Sequence, residues 1–394
     1  MKLLFLSNEF PNACEPTKAT FNYDLLDALS HEHTVEVVAP IAWLDELRKR
    51  AANPRQPWRR TLHVERLTVH HPRFYYTPGV LRHWYGTFLW WSLRGTLRRI
   101  RRGAIPDCVL SYWAHPDGEA AVRLARLLGI PSIVMVGGSD VLLLTRDPRR
   151  RRCIQAALDR ASAVVAVSRD LVAKIVALGV PADRVHQLRR GVKGEVFSPG
   201  DRAAARRALD LPDDRPILLW VGRMVPVKDL GTLLATCDLL RSQLPDFQLC
   251  LVGDGPLRSV VAEEISQRGL ADHVKIVGTV PHNQLGDWFR AADLTLLSSR
   301  SEGVPNVLLE SLACGTPFVS TNVGGVSEIG SSASARLVPP NSPGEFAQAI
   351  AAALSEKLHV PECDRPQTLP QFAQQVASLA ERLKNPTQKG DSRG

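Results

Sequence analysis

The chain is predicted to be an α/β protein built as two successive doubly wound, Rossmann-like halves. Three observations carry that expectation. Short β-branched or apolar runs alternate with segments whose apolar residues recur at helical spacing, which is the pattern of parallel β-α-β units with right-handed crossovers. The alternation stops in a stretch containing Pro199, Gly200, Pro212 and Pro216 and then begins again. Finally, 394 residues exceed the roughly 250–300 at which single cores stop growing. With 44% hydrophobic and 23% charged residues, the composition is ordinary for a globular protein and excludes disordered, collagenous and low-complexity classes.

Taken in order, Lys2–Ser7 reads as the first strand and Phe21–Leu29 as a helix, with Thr34–Ala39 as the next strand. Further strands are expected at Cys108–Ser111, Ser132–Val136 and Ala163–Val167, with a helix over Ala120–Leu128. The second series runs through Ile217–Val221, Gln248–Val252, Val274–Val277, Leu294–Leu297 and Pro317–Ser320. Helices follow at Leu230–Leu240, Pro256–Ser266, Asn283–Ala291 and Asn306–Ala313, and helical pieces close the chain at 344–357 and 370–384. The expected division is 1–195, 196–365 and a terminal helix with a frayed tail over 366–394. Two such sheets facing one another would form a cleft at the C-terminal ends of their strands.

Seven scattered cysteines with no C-x-x-C pair fit neither a disulfide framework nor a zinc site, and point to a reducing cytoplasm. The opening MKLLFLSNEF is too short for the apolar core of a signal peptide. No window reaches the roughly 18 apolar residues of a membrane span. Charge is lopsided: Lys and Arg outnumber Asp and Glu by 12 over residues 1–200, although the whole chain carries only +9. One half therefore suits an anionic partner, a membrane surface or nucleic acid.

Residues 298–328, SSRSEGVPNVLLESLACGTPFVSTNVGGVSE, carry the most information. Glu302 follows a strand, Gly303 permits close backbone approach, and Pro305 suits a helix start. The N–H groups of Asn306, Val307 and Leu308 would then face an anion with the positive end of the helix behind them. Glu310 leans back toward that end. Two carboxylates beside a phosphate pocket are suited to accept hydrogen bonds from sugar hydroxyls.

This string resembles the E-x7-E signature of the family 4 retaining glycosyltransferases of the GT-B fold. Gly222-Arg223-Met224-Val225-Pro226-Val227-Lys228 is similar to the family's G-R-x4-K motif, in which two cations meet a diphosphate. Gly253 stands in its next glycine-rich turn, and Val280 lies in the segment whose backbone reads the nucleotide base. The resemblance implies transfer of a hexose from a nucleotide-diphosphate-sugar, with retention at the anomeric carbon, to a saccharide acceptor of cell-surface polysaccharide synthesis, which the basic, Trp-rich stretch at residues 82–102 leads us to expect is lipid-linked. Glu302 would hold the transferred sugar and Glu310 the ribose. Asp-x-Asp is missing from the sequence, so no metal and no cofactor is expected. Arg223, Lys228 and the helix at 306 are left to stabilise the leaving group.

The acceptor side departs from the pattern. Residues 110–118 (LSYWAHPDG) and 134–141 (VMVGGSDV) resemble the His-x-His-(aromatic)-x-Tyr-Pro-Asp-Gly and (His/Arg)-Gly-Ser-Asp segments of polysaccharide-assembling relatives. Tyr112 replaces their second His, His115 their Tyr, Gly137 their His or Arg, and Lys193 the Asp of Gly-Val-Asp. The loop Thr17–Phe21 has Ala19 where a Gly is common. The expected acceptor-side residues are Tyr112, Asp117, Ser139 and Asp140, with His115 an imidazole near the anomeric carbon if its loop shifts.

Residues 82–102 hold six Arg and three Trp with no acid, and Arg149–Arg152 add four more cations. Such a mixture suits a cytoplasmic enzyme resting peripherally on an anionic leaflet. Two other readings stand beside it. A catalytically silent GT-B protein would bind nucleotide or partner glycosyltransferases, and a nucleic-acid binder is suggested by charge alone, without a reading motif.

Overall fold

A computed structural model describes residues 1–16, 18–52 and 59–385; the expected tail over 386–394 and Thr17 of the 17–21 loop lie outside the described residues. The chain divides into two compact units, 1–191 joined by 369–394, and 192–368. The boundary thus falls at Gly191/Val192 rather than 195/196, and the terminal helix is part of unit 1.

Unit 1 begins β1 (Lys2–Leu6), α1 (Thr20–Ser30), β2 (Thr34–Val38), β3 (Ile41–Ala42), α2 (Trp43–Ala52), β4 (Thr61–Val64), β5 (Leu67–His70) and β6 (Arg73–Phe74). It continues α3 (Tyr85–Ser92), α4 (Arg94–Arg102), β7 (Cys108–Tyr112), α5 (Glu119–Leu128), β8 (Ser132–Met135), α6 (Ser139–Leu142), α7 (Pro148–Arg160), β9 (Ala163–Ala166), α8 (Arg169–Ala177) and β10 (Val185–Gln187). The eight-stranded sheet has the order β10-β9-β8-β7-β1-β2-β5-β4, parallel except for the β4–β5 hairpin at its edge. Its strand order reverses between β1 and β7, the switch point at which such sheets open a ligand crevice.

Because β1 is covered on both faces, it shows no polar alternation. Leu3 and Phe5 pack with Leu25, Leu26 and Leu29 of α1, while Leu4 and Leu6 pack with Leu97 of α4 and Leu124 of α5. The final helix, α15 (Leu369–Lys384), lays Phe372, Ala373, Val376, Leu379 and Ala380 on the α1 side of this core. Those positions recur at three- and four-residue spacing, so one apolar stripe fixes the chain terminus to the first unit.

Unit 2 runs α9 (Arg202–Ala208), β11 (Ile217–Val221), α10 (Leu230–Gln243), β12 (Gln248–Val252), α11 (Arg258–Gln267), β13 (Val274–Gly278), α12 (Leu285–Ala291), β14 (Leu294–Leu297), α13 (Asn306–Ala313), β15 (Phe318–Thr321), β16 (Ala335–Val338) and α14 (Pro343–Ser355). Its six strands are all parallel in the order β13-β12-β11-β14-β15-β16, a doubly wound sheet with its switch point between β11 and β14. Leu219 points to one buried face and Leu218 and Trp220 to the other. No helix among the described residues is long and apolar enough to cross a membrane.

Candidate active site

The switch point of unit 2 sets the loop after β11 against the loop after β14. Lys228 and Glu302, 74 residues apart in sequence, meet there with Nζ 2.7 Å from Oε1. Their backbones are held as well as their side chains. Ser298 Oγ donates to the Lys228 carbonyl at 2.9 Å, and the Arg300 amide donates to Val227 O at 2.8 Å. Asp229, in the left-handed region at φ 49°, then receives Arg300 Nη2 at 2.9 Å and Thr232 Oγ1 at 2.8 Å as α10 starts. Arg223 and Lys228 therefore do not open that helix directly, since a 3₁₀ turn over Pro226–Lys228 comes first.

Glycines let three loops lie against one another. Gly222 N–H donates to Val252 O at 3.0 Å, and Gly253 N–H to Gly278 O at 2.7 Å. A Cβ on Gly253, whose φ is +132°, would stand 1.9 Å from Gly222 O. On the other side, a Cβ on Gly324 (φ +58°) would stand 1.9 Å from Glu302 O, and Gly325 N–H donates to Gly303 O at 2.8 Å. Only bare backbone fits at these approaches.

Glu310 lies in the first two turns of α13 and its Oε1 is 2.9 Å from His282 Nε2, which ties it to the loop beyond Val280. Pro305 takes the N-cap rather than the first helical position. The expectation of three open amides needs correction: Leu308 N–H is spent on Pro305 O at 3.1 Å, a turn that the capping proline forms, and the Leu308 side chain is fully buried. Asn306 and Val307 stand ahead of it, both half-buried. Arg223 is exposed, and among the described residues no carboxylate pairs with its guanidinium.

In unit 1 most of the expected acceptor-side residues are interior. Asp140 Oδ1 accepts from Gly137 N–H at 3.0 Å and Gly138 N–H at 2.9 Å, and its Oδ2 accepts from Ala114 N–H at 2.9 Å. It clamps the loops after β7 and β8, fully buried. Asp117 is also fully buried and accepts from Asn8 N–H at 2.8 Å; burial pushes its carboxyl well above the usual carboxylate range. Tyr112 is capped by Arg190, whose Nη2 is 2.6 Å from its Oη, and by the edge of Phe21. His115 has no exposed surface and takes a weak contact from Gly86 N–H at 3.4 Å. Burial and the neighbouring Arg150 guanidinium hold it down to about 4. These four side chains are buried at the ends of β7 and β8 and in the loops that follow; Ser139 alone of the acceptor-side set is exposed.

An open cavity of about 270 Å³ does lie over the switch point of this sheet, at the ends of β1, β2 and β7. Glu9, Lys18, Asp45, Phe74, Tyr76 and Tyr85 help line it. Lys18 sits 3.6 Å from Glu9 and 3.2 Å from Glu15; burial opposes its charge, but those carboxylates hold the ammonium above its ordinary value. Aromatic faces beside hydrogen-bonding carboxylates are the chemistry of a polyhydroxylated ring.

Residues 19–191 match the family model described as glycosyl transferase 4-like domain, and residues 201–368 match glycosyl transferases group 1. A D-inositol 3-phosphate glycosyltransferase of Thermobispora bispora is 36% identical over 45% of this chain and 44% of its own length. The chain thus spans less than half of that relative. The putative teichuronic acid biosynthesis glycosyltransferase TuaC of Bacillus subtilis is 29% identical over 92% of this chain and 91% of its own. Alpha-D-kanosaminyltransferase of Streptomyces kanamyceticus is 30% identical, over 71% of this chain and 75% of its own. The chain belongs to the glycosyltransferase family. Solved structures agree on the fold: sucrose-phosphate synthase of Thermosynechococcus elongatus superposes with TM-score 0.78 at 21% identity, covering 98% of this chain and 99% of that one. Anabaena HepE, solved with UDP-glucose, gives TM-score 0.73 at 16% identity over 97% of this chain and 100% of its own. Both halves of this glycosyltransferase are therefore GT-B domains.

Set within that family, the site contains partners that the motifs do not mark. His282, Ser298 and the Arg300–Asp229 pair position the motif residues without belonging to them. The only sequence trace of His282 is its place two residues beyond Val280. One further cluster, His115, Glu119 and Cys153, has ligand atoms within 4.8 Å of one another. Arg123 Nη2 lies 2.5 Å from Glu119, and Arg150 bears on His115, so that corner repels a cation.

Proposed function

We propose that this glycosyltransferase moves a hexose from a nucleoside-diphosphate-sugar to a hydroxyl of a saccharide acceptor, with retention and without a metal ion. The Lys228–Glu302 contact at the β11/β14 switch point carries the reading, since it sets a cation and a sugar-binding carboxylate side by side. The bond from the anomeric carbon to the phosphate oxygen breaks as the acceptor oxygen attacks on the same face. The acceptor proton passes to the departing phosphate oxygen. Arg223, Lys228 and the amide end of α13 meet the charge that develops there, in competition with no counterion for Arg223 among the described residues. Lys228 exchanges part of its contact with Glu302 for the diphosphate, leaving Glu302 to hold sugar hydroxyls.

Gly222, Gly253, Gly303 and Val280 supply backbone approach on the donor side, with Glu310 directed to the ribose. The nucleotide-sugar bound in the HepE structure supports the donor class. For the acceptor, the cavity at Glu9, Tyr76 and Tyr85 is a built space at the switch point of unit 1, and Ser139 lies exposed on that unit. A lipid-linked acceptor fits the exposed Trp84 and Trp91, which stand between Arg82 and the arginines of α4 and suit a cytoplasmic membrane face. Incubating the purified chain with UDP-, GDP- and ADP-sugars and following nucleoside diphosphate release tests the reading. Turnover that Glu302→Ala abolishes supports it. Nucleotide binding without turnover for any donor replaces it with the silent reading.

A further inference from the structure

Away from both switch points, α5 and α7 of unit 1 enclose an open cavity of about 240 Å³. Arg123 and Arg126 come from α5 and Arg152 and Arg160 from α7, and all four line it together with Glu119. The spacing makes this a consequence of sequence. Residues 119, 123 and 126 follow one face of α5, and 152, 156 and 160 follow one face of α7. Four arginines thus line one cavity with a single carboxylate.

That carboxylate is already engaged. Arg123 Nη2 lies 2.5 Å from Glu119 Oε1, and Arg160 also acts on the same group. Arg126 and Arg152 are exposed, and among the described residues neither is paired with an acid. The volume is below the roughly 300–1,000 Å³ of sites for drug-sized ligands, so it suits a compact ligand. Guanidinium forks from two helices match the oxygens of a tetrahedral dianion, each bidentately.

We propose that the α5–α7 cavity binds a phosphoryl anion, a phosphate monoester or inorganic phosphate, through Arg126 and Arg152 with Arg123 and Arg160 behind them. A lipid can present that group. On the other side of α5, α4 shares an apolar cluster with it through Leu97, Ile100, Ala121 and Leu124 and exposes Arg94, Arg98, Arg99, Arg101 and Arg102. Trp91 beside them is 54% exposed. The lipid source rests on the membrane reading above; the anion site itself does not.

The test uses the full chain, its R126Q/R152Q variant, and R98Q/R101Q as a control that removes equal charge outside the cavity. All four positions are exposed, so the fold is kept. Inorganic phosphate is titrated by calorimetry, and vesicles of phosphatidylcholine with or without phosphatidic acid are sedimented with each protein. R126Q/R152Q is expected to weaken phosphate binding at least about tenfold, the loss of one or more charge-assisted hydrogen bonds, while the control changes less than about threefold. Loss of phosphatidic acid binding in parallel, with free phosphate competing, assigns a lipid source. Unchanged vesicle binding with lost phosphate binding assigns a free one. Equal losses of phosphate binding in both variants, or no phosphate binding by the parent chain, overturn the site. Nucleotide-sugar turnover by R126Q/R152Q stays at the parent level. Failure of the transferase reading would show as absent turnover with phosphate binding intact.

Discussion

Lys228 Nζ and Glu302 Oε1 stand 2.7 Å apart across the junction of β11 and β14, so the motif cation and the motif acid form a pair before any substrate arrives. The side chains are only 20% and 13% exposed, so the water each charge gives up offsets much of their attraction and the pair adds about 1 kcal/mol or less to stability. Its importance is expected in turnover. Lys228→Ala should lower kcat/KM by about 10²–10³, the size of one lost transition-state donor, with a Tm within about 2 °C of the parent. Glu302→Gln, which still accepts hydrogen bonds from hydroxyls, should retain more activity than Glu302→Ala. Steady-state kinetics beside thermal melts check both. A large Tm loss with unchanged kcat/KM would make the contact a structural one.

Gly253 is where backbone approach can be tested most sharply. At φ +132° with a built Cβ 1.9 Å from Gly222 O, any side chain must push the β11 and β12 loops apart. Gly253→Ala should cost about 2–4 kcal/mol in urea unfolding, the range of severe backbone strain and clash. It should also weaken nucleotide binding, because the displaced strand end carries Gly222 and Arg223. Gly231, early in α10, has open space around a built Cβ. Gly231→Ala should be neutral or stabilising by up to about 1 kcal/mol.

The parallel strands and the two motif strings were legible because both rest on local pattern. Runs such as ILLWV at 217–221 are short, apolar and bounded by turn residues, and E-x7-E and G-R-x4-K fix residues close in sequence. Elements without such a signal were not. The β4–β5 hairpin is exposed on much of β4, and β16 is only Ala335–Val338 with mixed burial. His282 with Glu310, and Arg300 with Asp229, bridge 28 and 71 residues of chain, which no spacing rule connects. On the acceptor side the motif residues were legible but their burial was not. Asp117, Asp140 and His115 look like ligand groups by type, yet each sits at zero exposure.

His115 gives the chain a pH response. Burial first, then Arg150, holds it down to about 4, whereas the unfolded chain titrates near 6.5. Between those values the unfolded state binds the extra proton, so this residue's contribution is complete above about pH 6.5 and is lost as pH falls toward 4. The full difference is worth about 3 kcal/mol. Tm should therefore fall between pH 7 and pH 5 in the parent. In His115→Gln, which can still accept from Gly86 N–H, that fall should be smaller. Equal pH dependence in both proteins would remove His115 as the titrating group.

Tyr112 and Gly137 explain one another, and so account for two departures from the family pattern at once. A Cβ on Gly137 would lie 2.3 Å from Tyr112 Oη, which is itself 2.6 Å from Arg190 Nη2. The bulkier Tyr112 fills the space into which a His or Arg side chain at 137 would project, and Arg190 brings a guanidinium to the phenol from another loop. Gly137→Ala alone should cost about 1–3 kcal/mol, as overpacking does. In a Tyr112→Phe background the nearest colliding atom is gone while Cζ of that ring and Trp113 Cζ3 remain 2.9 Å from the added Cβ, so the same substitution should cost about 1 kcal/mol less without becoming neutral. A thermodynamic cycle by urea unfolding measures the coupling. Additive costs would mean that the two positions changed independently, and that Gly137 must be small for some reason other than Tyr112.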